Sequence, residues 1–329
     1  MSNNEIKQKS NEQAATLRRS AILNNQIFYL VIVIILIAVI ASVLNPKFLT
    51  LKNFLNIMQQ ISILGILTMC MSLLMISGGL DISIGNMTGL IAIIFARMLL
   101  TGKNIILSVA VSLVIGLVLG FINGIIIAKS KVTPLIITLG MNYVFLGIAL
   151  IVGGGRPQAI TGQFVFLGQS RIGGIVPFSI LIFILVFIFA FLLRKYTKYG
   201  RRLNAIGGNP LAAYLSGINV DFHVVSIYAL SGLIVGFTAL IMISRLGMVQ
   251  ADVGANFALQ ALAAAIIGGI TFEGGKGSLV GAFFGVLLLG ILNNALNIVG
   301  VSSFTQTIVL GAIIVIATVI SNVGQMKRV

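Results

Sequence analysis

The sequence is poor in the side chains that usually build active sites. It has one cysteine, Cys70, and one histidine, His223, so no intrachain disulfide can form and neither a cysteine cluster nor a histidine set can hold a metal. Only six acidic residues are present. Glu5 and Glu12 lie near the N-terminus, while Asp81, Asp221, Asp252 and Glu273 fall in expected connections or at the ends of apolar runs. Nucleophilic and acid-base catalysis need a nucleophile, a base and an orienting group brought together, and so few candidates make an enzyme remote. A phosphate-cradling loop is also missing. The nearest match to G-x-x-x-x-G-K-[ST], Ile270 to Gly277, lacks both the leading glycine and the final Ser or Thr.

What is abundant is apolar. Hydrophobic residues make up 58% of the chain and charged residues 8%, with a mean hydropathy of +1.14. Soluble domains average about 45 to 50% apolar and about 25% charged. The chain therefore belongs in a bilayer, and without strands of alternating polarity only helices satisfy the backbone there. The expected fold class is an all-α integral membrane protein. Ten apolar segments qualify as spans: Ile27 to Leu44, Phe54 to Ile76, Met87 to Leu100, Ile105 to Ala128, Leu135 to Val152, Gly174 to Leu193, Phe222 to Ile243, Phe257 to Ile270, Leu279 to Ile298 and Thr305 to Ile320. The first is longer than a signal core and ends in Leu44-Asn45-Pro46, so it reads as an uncleaved span. The expected organisation is an N-terminal tail over residues 1–26, a transmembrane domain over 27–322 and a C-terminal tail over 323–329.

A net charge of +15 would suggest nucleic acid in a soluble protein, but here its distribution reports topology. With the N-terminus cytoplasmic, inner segments collect Lys7, Lys9, Arg18, Arg19, Lys129, Lys131, Arg194, Lys195, Lys198, Arg201, Arg202, Lys276, Lys327 and Arg328. Outer segments collect only Lys47, Lys52, Lys103, Arg156, Arg171 and Arg245. The positive-inside rule then puts both termini on the cytoplasmic side. Arg97, left within a span near its outer end, can snorkel to the headgroups.

Two segments, Met87 to Leu100 and Phe257 to Ile270, are short for a crossing, and each adjoins a glycine-rich polar stretch, Ser77 to Asn86 and Gly268 to Gly277. Irregular backbone at membrane depth needs protein or a water-filled cavity around it, and broken segments at corresponding places in two halves point to a transport path. A weak repeat supports the correspondence. Leu119 to Gly124 resembles Leu289 to Asn294, and Leu139-Gly140 matches Leu310-Gly311. The copies are five spans apart, so spans 2–5 and 7–10 would form an inverted repeat.

Between the two apolar halves lies a polar island, residues 194–221, expected as a cytoplasmic loop. Asn209 suits an N-cap, Pro210 the first helical position and Gly217 the close. Leu211, Tyr214 and Leu215 would form one apolar stripe on a helix of about two turns, too short to stand alone in water. It needs a surface: a partner groove, or the membrane interface.

Several motifs in the same order resemble one family across nearly the whole chain. They are Asn45 to Thr50 with Asn53 to Ile57, Ser77 to Gly85, Tyr199-Gly200-Arg201 through Gly207-Gly208-Asn209 to Ser216-Gly217-Ile218, Gly274 to Gly277, and Leu292-Asn293-Asn294 to Ser303. The chain resembles the permease subunits of bacterial ABC importers for ribose and similar monosaccharides. That resemblance implies a homodimeric or pseudo-dimeric pore in the cytoplasmic membrane. It also implies a cytoplasmic ATPase carrying ATP and Mg, no cofactor in this chain, and an extracytoplasmic sugar-binding protein. It further implies that the central loop contacts the ATPase, through Asn209, Pro210, Leu211, Ala212, Ala213, Tyr214, Leu215, Ser216 and Gly217. The alternative class is a self-sufficient secondary carrier for a small neutral solute, against which the scarcity of intramembrane carboxylates and histidines argues.

For the pathway, Asp81, Ser83 and Asn86 either line it or cap a broken helix, since a carboxylate is stabilised at a helix N-terminus. Asn123 and Asn293 either meet the solute or bind helices together. Arg156 and Arg171 stand in the longest outer connection, which either contacts a delivering protein or only bridges two span ends. Cations of the island serve topology or anionic lipid, and Gly274 to Gly277 make a tight reversal or a flexible loop. The sequence has no tryptophan, the best sugar-stacking side chain, so selectivity falls to a partner.

Overall fold

The computed structural model describes residues 26–326, so most of the expected N-terminal tail and the last three residues, with their cations, lie outside the described residues. The first helix, α1 (Gln26–Leu44), is followed by a 3-10 turn (Pro46–Leu49) and α2 (Leu51–Ile76). Then come α3 (Ile84–Leu100), α4 (Ile105–Ser130) and α5 (Pro134–Gly153). An outer connection carries β1 (Gln158–Ala159), α6 (Phe166–Gln169), β2 (Arg171–Ile172) and β3 (Val176–Pro177). It leads to α7 (Phe178–Tyr196), α8 (Lys198–Gly208), α9 (Pro210–Leu215) and α10 (Val220–Leu246). The chain closes with β4 (Met248–Val249), α11 (Phe257–Ile267), α12 (Leu279–Val299) and α13 (Ser303–Met326). Helix α13 runs past the boundary expected at residue 322.

Seven of these helices, α1, α2, α4, α5, α7, α10 and α12, are long and apolar enough to cross a membrane. Helices α3 and α11 are shorter, as their flanking glycines predict. The all-helical expectation needs one amendment. β1 pairs antiparallel with β4, Gln158 opposite Val249, and β2 with β3, Arg171 opposite Pro177. The first pair ties the outer connection to the segment before α11. In the second, β3 occupies the start expected for the sixth span; Pro177, which caps α7, moves that start to Phe178.

The most extensive helix contact joins α4 and α10. Its cause is legible in the spacing of small residues. Gly116, Gly120 and Gly124 on α4 meet Gly232, Gly236 and Tyr228 on α10, so close that a Cβ on Gly120 would collide with the Tyr228 carbonyl oxygen. Lipid tails are as apolar as leucine, so such close backbone approach, rather than burial from water, holds membrane helices together. Gly232→Ala should therefore cost about 1–3 kcal/mol through overpacking, read as a lower thermal midpoint in detergent. Helix α2 is the hub: it is buried along most of its length, with α7, α10, α11 and α12 around it. Helices α1, α4, α5 and α7 turn much of their apolar surface outward.

Candidate coupling and pathway sites

Helix α9 forms as its punctuation requires. The Asn209 side chain accepts from the Ala212 amide at 2.9 Å, and Pro210 occupies the first helical position. At the other end the Ile218 amide donates to the Ala213 carbonyl (3.1 Å) and the Gly217 amide to the Tyr214 carbonyl (2.9 Å), with Gly217 at φ +80°. This pair of bonds is a Schellman closure, which needs a left-handed residue where glycine stands. Ser216 is the C-cap rather than the last helical residue. Ala213 faces inward and is buried, while Leu211, Tyr214 and Leu215 are 67%, 67% and 76% exposed. A cleft of about 480 Å³ runs beside the helix, lined by Tyr214, Gly217, Ile218, Asn219, Val220 and Asp221. Asp221 pairs there with Lys129 at 2.6 Å.

The sequence reading missed α8. Thr197 caps it, accepting from the Gly200 amide at 3.0 Å, and the helix carries Gly200, Gly207 and Gly208, residues of low helix propensity. Gly200 lies on the Leu193 and Arg194 carbonyls, and Gly207 on the Ile76 carbonyl, so close packing is what these glycines serve. Tyr199 anchors the helix to α10: its ring stacks on His223 at 5.4 Å and its hydroxyl meets Ser226 at 2.8 Å. Burial holds the Tyr199 hydroxyl above the usual phenol range. Arg201 and Arg202 are exposed, and the Lys195 ammonium lies 5.3 Å from the rings of Phe191 and Tyr196.

The stretch before α3 turns inward instead of forming an exposed connection. Asp81 is only 1% exposed. Its Oδ1 accepts from the Ser83 amide (2.8 Å) and hydroxyl (2.5 Å), and its Oδ2 from Asn123 Nδ2 (3.3 Å), which also donates to Ser83 Oγ (2.9 Å). The flanks are tied as firmly. Tyr228 donates to the Leu80 carbonyl (2.9 Å), the Ile82 amide to Thr138 (3.1 Å), and Asn86 to the Asn142 carbonyl (3.1 Å). The Oδ1 atoms of Asn86 and Asn123 are buried without a hydrogen-bond partner among the described residues. Gly85 of α3 meets Gly254 ahead of α11, where a Cβ on either would strike the other's carbonyl oxygen. The starts of the two short helices thus converge.

The structure brings Asp81, Ser83 and Asn123 together and sets Asn86 one turn along α3. Asn293 is elsewhere: on α12 it is half-buried, with no side-chain hydrogen bond among the described residues. Its neighbour Asn294 is the bonded one, exchanging two amide bonds with Asn53 at 2.9 and 3.0 Å. Arg156 and Arg171 are both exposed on the outer connection, with Arg171 reaching the Ile175 carbonyl at 3.2 Å. No sequence signal announced the clamp under that connection. Gln59 donates to the Gly168 carbonyl (3.0 Å) and the Gly168 amide to Ser244 Oγ (2.8 Å), fastening α6 to α2 and α10.

Residues 53–318 match the family described as branched-chain amino acid transport system / permease component. The chain belongs to this permease family. It is 40% identical over 290 residues to the ribose import permease protein RbsC of Bacillus subtilis, covering 87% of this chain and 90% of that one. To the Escherichia coli RbsC it is 36% identical over 302 residues, 90% of this chain and 93% of the relative. The galactose/methyl galactoside import permease protein MglC of E. coli is 33% identical over 307 residues, 86% and 90% of the two chains. No solved structure matches the chain. The permease is a multi-pass membrane protein, and its relatives are transport components rather than enzymes.

Proposed function

We propose that this permease is the membrane-spanning subunit of an ATP-driven importer and forms the pathway for a monosaccharide delivered by an extracytoplasmic binding protein. The observation that carries ATP coupling is the capped α9, whose apolar stripe no part of the described chain covers. A six-residue helix held rigid with three large apolar side chains outward suits a groove in a partner, and the permease itself has no nucleotide loop. Sugar as the cargo rests on relatives named for ribose and galactose import. Residues Asn209 to Gly217 contact the ATPase, Arg156 and Arg171 face the binding protein, and Asp81, Ser83, Asn86, Asn123 and Asn293 border the path.

The arrangement in the bilayer follows. With ten crossings both termini and α8–α9 lie in the cytoplasm, a reading that the cation distribution supports. Spans 2–5 and 7–10 form an inverted repeat, a reading supported by two short helices whose starts meet at Gly85 and Gly254. Two copies pair through apolar faces such as that bearing Phe304 and Ile308, 87% and 72% exposed. Arg201, Arg202 and Lys195 rest against anionic headgroups. ATP and Mg bind the partner ATPase.

Reconstitution tests this. In proteoliposomes, uptake of labelled ribose or galactose is expected only with the ATPase, the binding protein and ATP together. Uptake by the permease alone, driven by an ion gradient and indifferent to ATP, would reassign it as a secondary carrier.

A further inference from the structure

Three segments remote in sequence meet backbone to backbone beside α8. The Gly275 amide donates to the Ile76 carbonyl at the end of α2, at 2.8 Å. Gly78 follows that end with φ +80° and lies against the backbone of Gly207. Gly274, at φ +81°, packs on both: a Cβ there would stand 2.8 Å from the Gly207 carbonyl oxygen and 2.9 Å from the Gly78 Cα. A Cβ on Gly275 would stand 2.7 Å from the Gly208 nitrogen, and one on Gly207 would strike the Ile76 carbonyl oxygen.

The position of this junction is as telling as its tightness. On one side, α8 passes through Asn209 directly into α9. On another, residues 78–83 run from Gly78 to the Asp81–Ser83–Asn123 cluster and the start of α3. On the third, residues 268–274 lead back to the C-terminal end of α11. Side chains absorb small displacements by changing rotamer, but backbone in contact with backbone cannot, so a shift of α8 passes to both short helices. Those helices already touch at Gly85 and Gly254 and would move as a pair.

We propose that Gly78, Gly207, Gly274 and Gly275 are positioning residues for transport, forming the relay by which displacement of α9 reaches the start of α3 and the end of α11. This rests on α9 being the ATPase contact. The relay gives the two glycine-rich stretches of the sequence a single task, and it explains why φ-positive glycines from two of them face a helical glycine from the third.

The test uses the complete complex in proteoliposomes and reads ribose imported per ATP hydrolysed. Gly207→Ala is expected to keep the ATPase bound and hydrolysing while import per ATP falls about tenfold, within the usual range of coupling between sites. Gly65→Ala, which sets a Cβ against the Phe183 ring between α2 and α7, about three turns before the junction, should lower stability and leave that ratio unchanged. If Gly207→Ala fails to assemble, Gly78→Ala is judged by the same ratio, since its Cβ has 3.4 Å to the Gly207 Cα and only the strain of a left-handed alanine at φ +80° opposes it. An unchanged ratio in the assembled variant overturns the relay. Loss of the docking reading is seen separately, as ATPase retention in a Leu215→Asp complex.

Discussion

Leu215→Asp is expected to abolish association of the permease with its ATPase while leaving the permease folded. Leu215 is 76% exposed, and it shares the outward stripe with Leu211 and Tyr214. Nothing that holds α9 together passes through its side chain. The helix is fixed by the Asn209 cap, by the closure at Gly217 and by buried Ala213. The whole effect therefore falls on the partner. Burying a leucine contributes about 1.5–3 kcal/mol, and placing an unpaired carboxylate in the same apolar groove costs several more. A combined loss of about 4 kcal/mol is about a thousandfold in affinity. Co-purification of the ATPase in detergent measures it, with Leu215→Met expected to retain binding. If the stripe instead lies in the membrane interface, the aspartate variant still brings the ATPase down.

What could be read from the sequence was local. The start and end of α9 follow from Asn209, Pro210 and Gly217 because capping depends on three or four neighbouring residues. The short α3 and α11 follow from glycines beside short apolar runs. Helix α8 did not follow, because its glycines look like breaks unless one knows that Gly200 and Gly207 lie on other backbones. Burial of Asp81 was hidden for the same reason. A polar stretch between spans reads as a connection, and only the meeting of α3, α4, α5 and α10 around it encloses the carboxylate. The Asn53–Asn294 pair was not legible either, since Asn293 and Asn294 are alike in composition and the partner of Asn294 is 241 residues away. Helix caps are written in adjacent residues; close backbone approach and buried polar pairs are written in two places at once.

The second large effect concerns that enclosed carboxylate. Asn123→Leu is expected to destabilise the permease by about 3 kcal/mol, read as a lower thermal midpoint in detergent, because it strips a buried carboxyl oxygen of its donor. Asp81 sits ahead of α3, whose N-terminal dipole favours negative charge. Its Oδ1 has both donors of Ser83, but the one side-chain or backbone donor to Oδ2 among the described residues is Asn123. No cation stands in reserve, for the single ion pair among the described residues is the exposed Lys129–Asp221. Leucine has the same branched skeleton as asparagine and is somewhat larger, so no cavity is left and the loss is polar. Replacing the carboxyl as well should restore much of the stability: Asp81→Asn with Asn123→Leu is expected to be more stable than Asn123→Leu alone. Strict additivity of the two substitutions would show that the pair is not coupled. The double variant then separates structure from transport. If it folds and binds the ATPase yet no longer imports ribose, Asp81 and Asn123 act on the path itself; if import returns with stability, the cluster serves to hold the broken start of α3 in place.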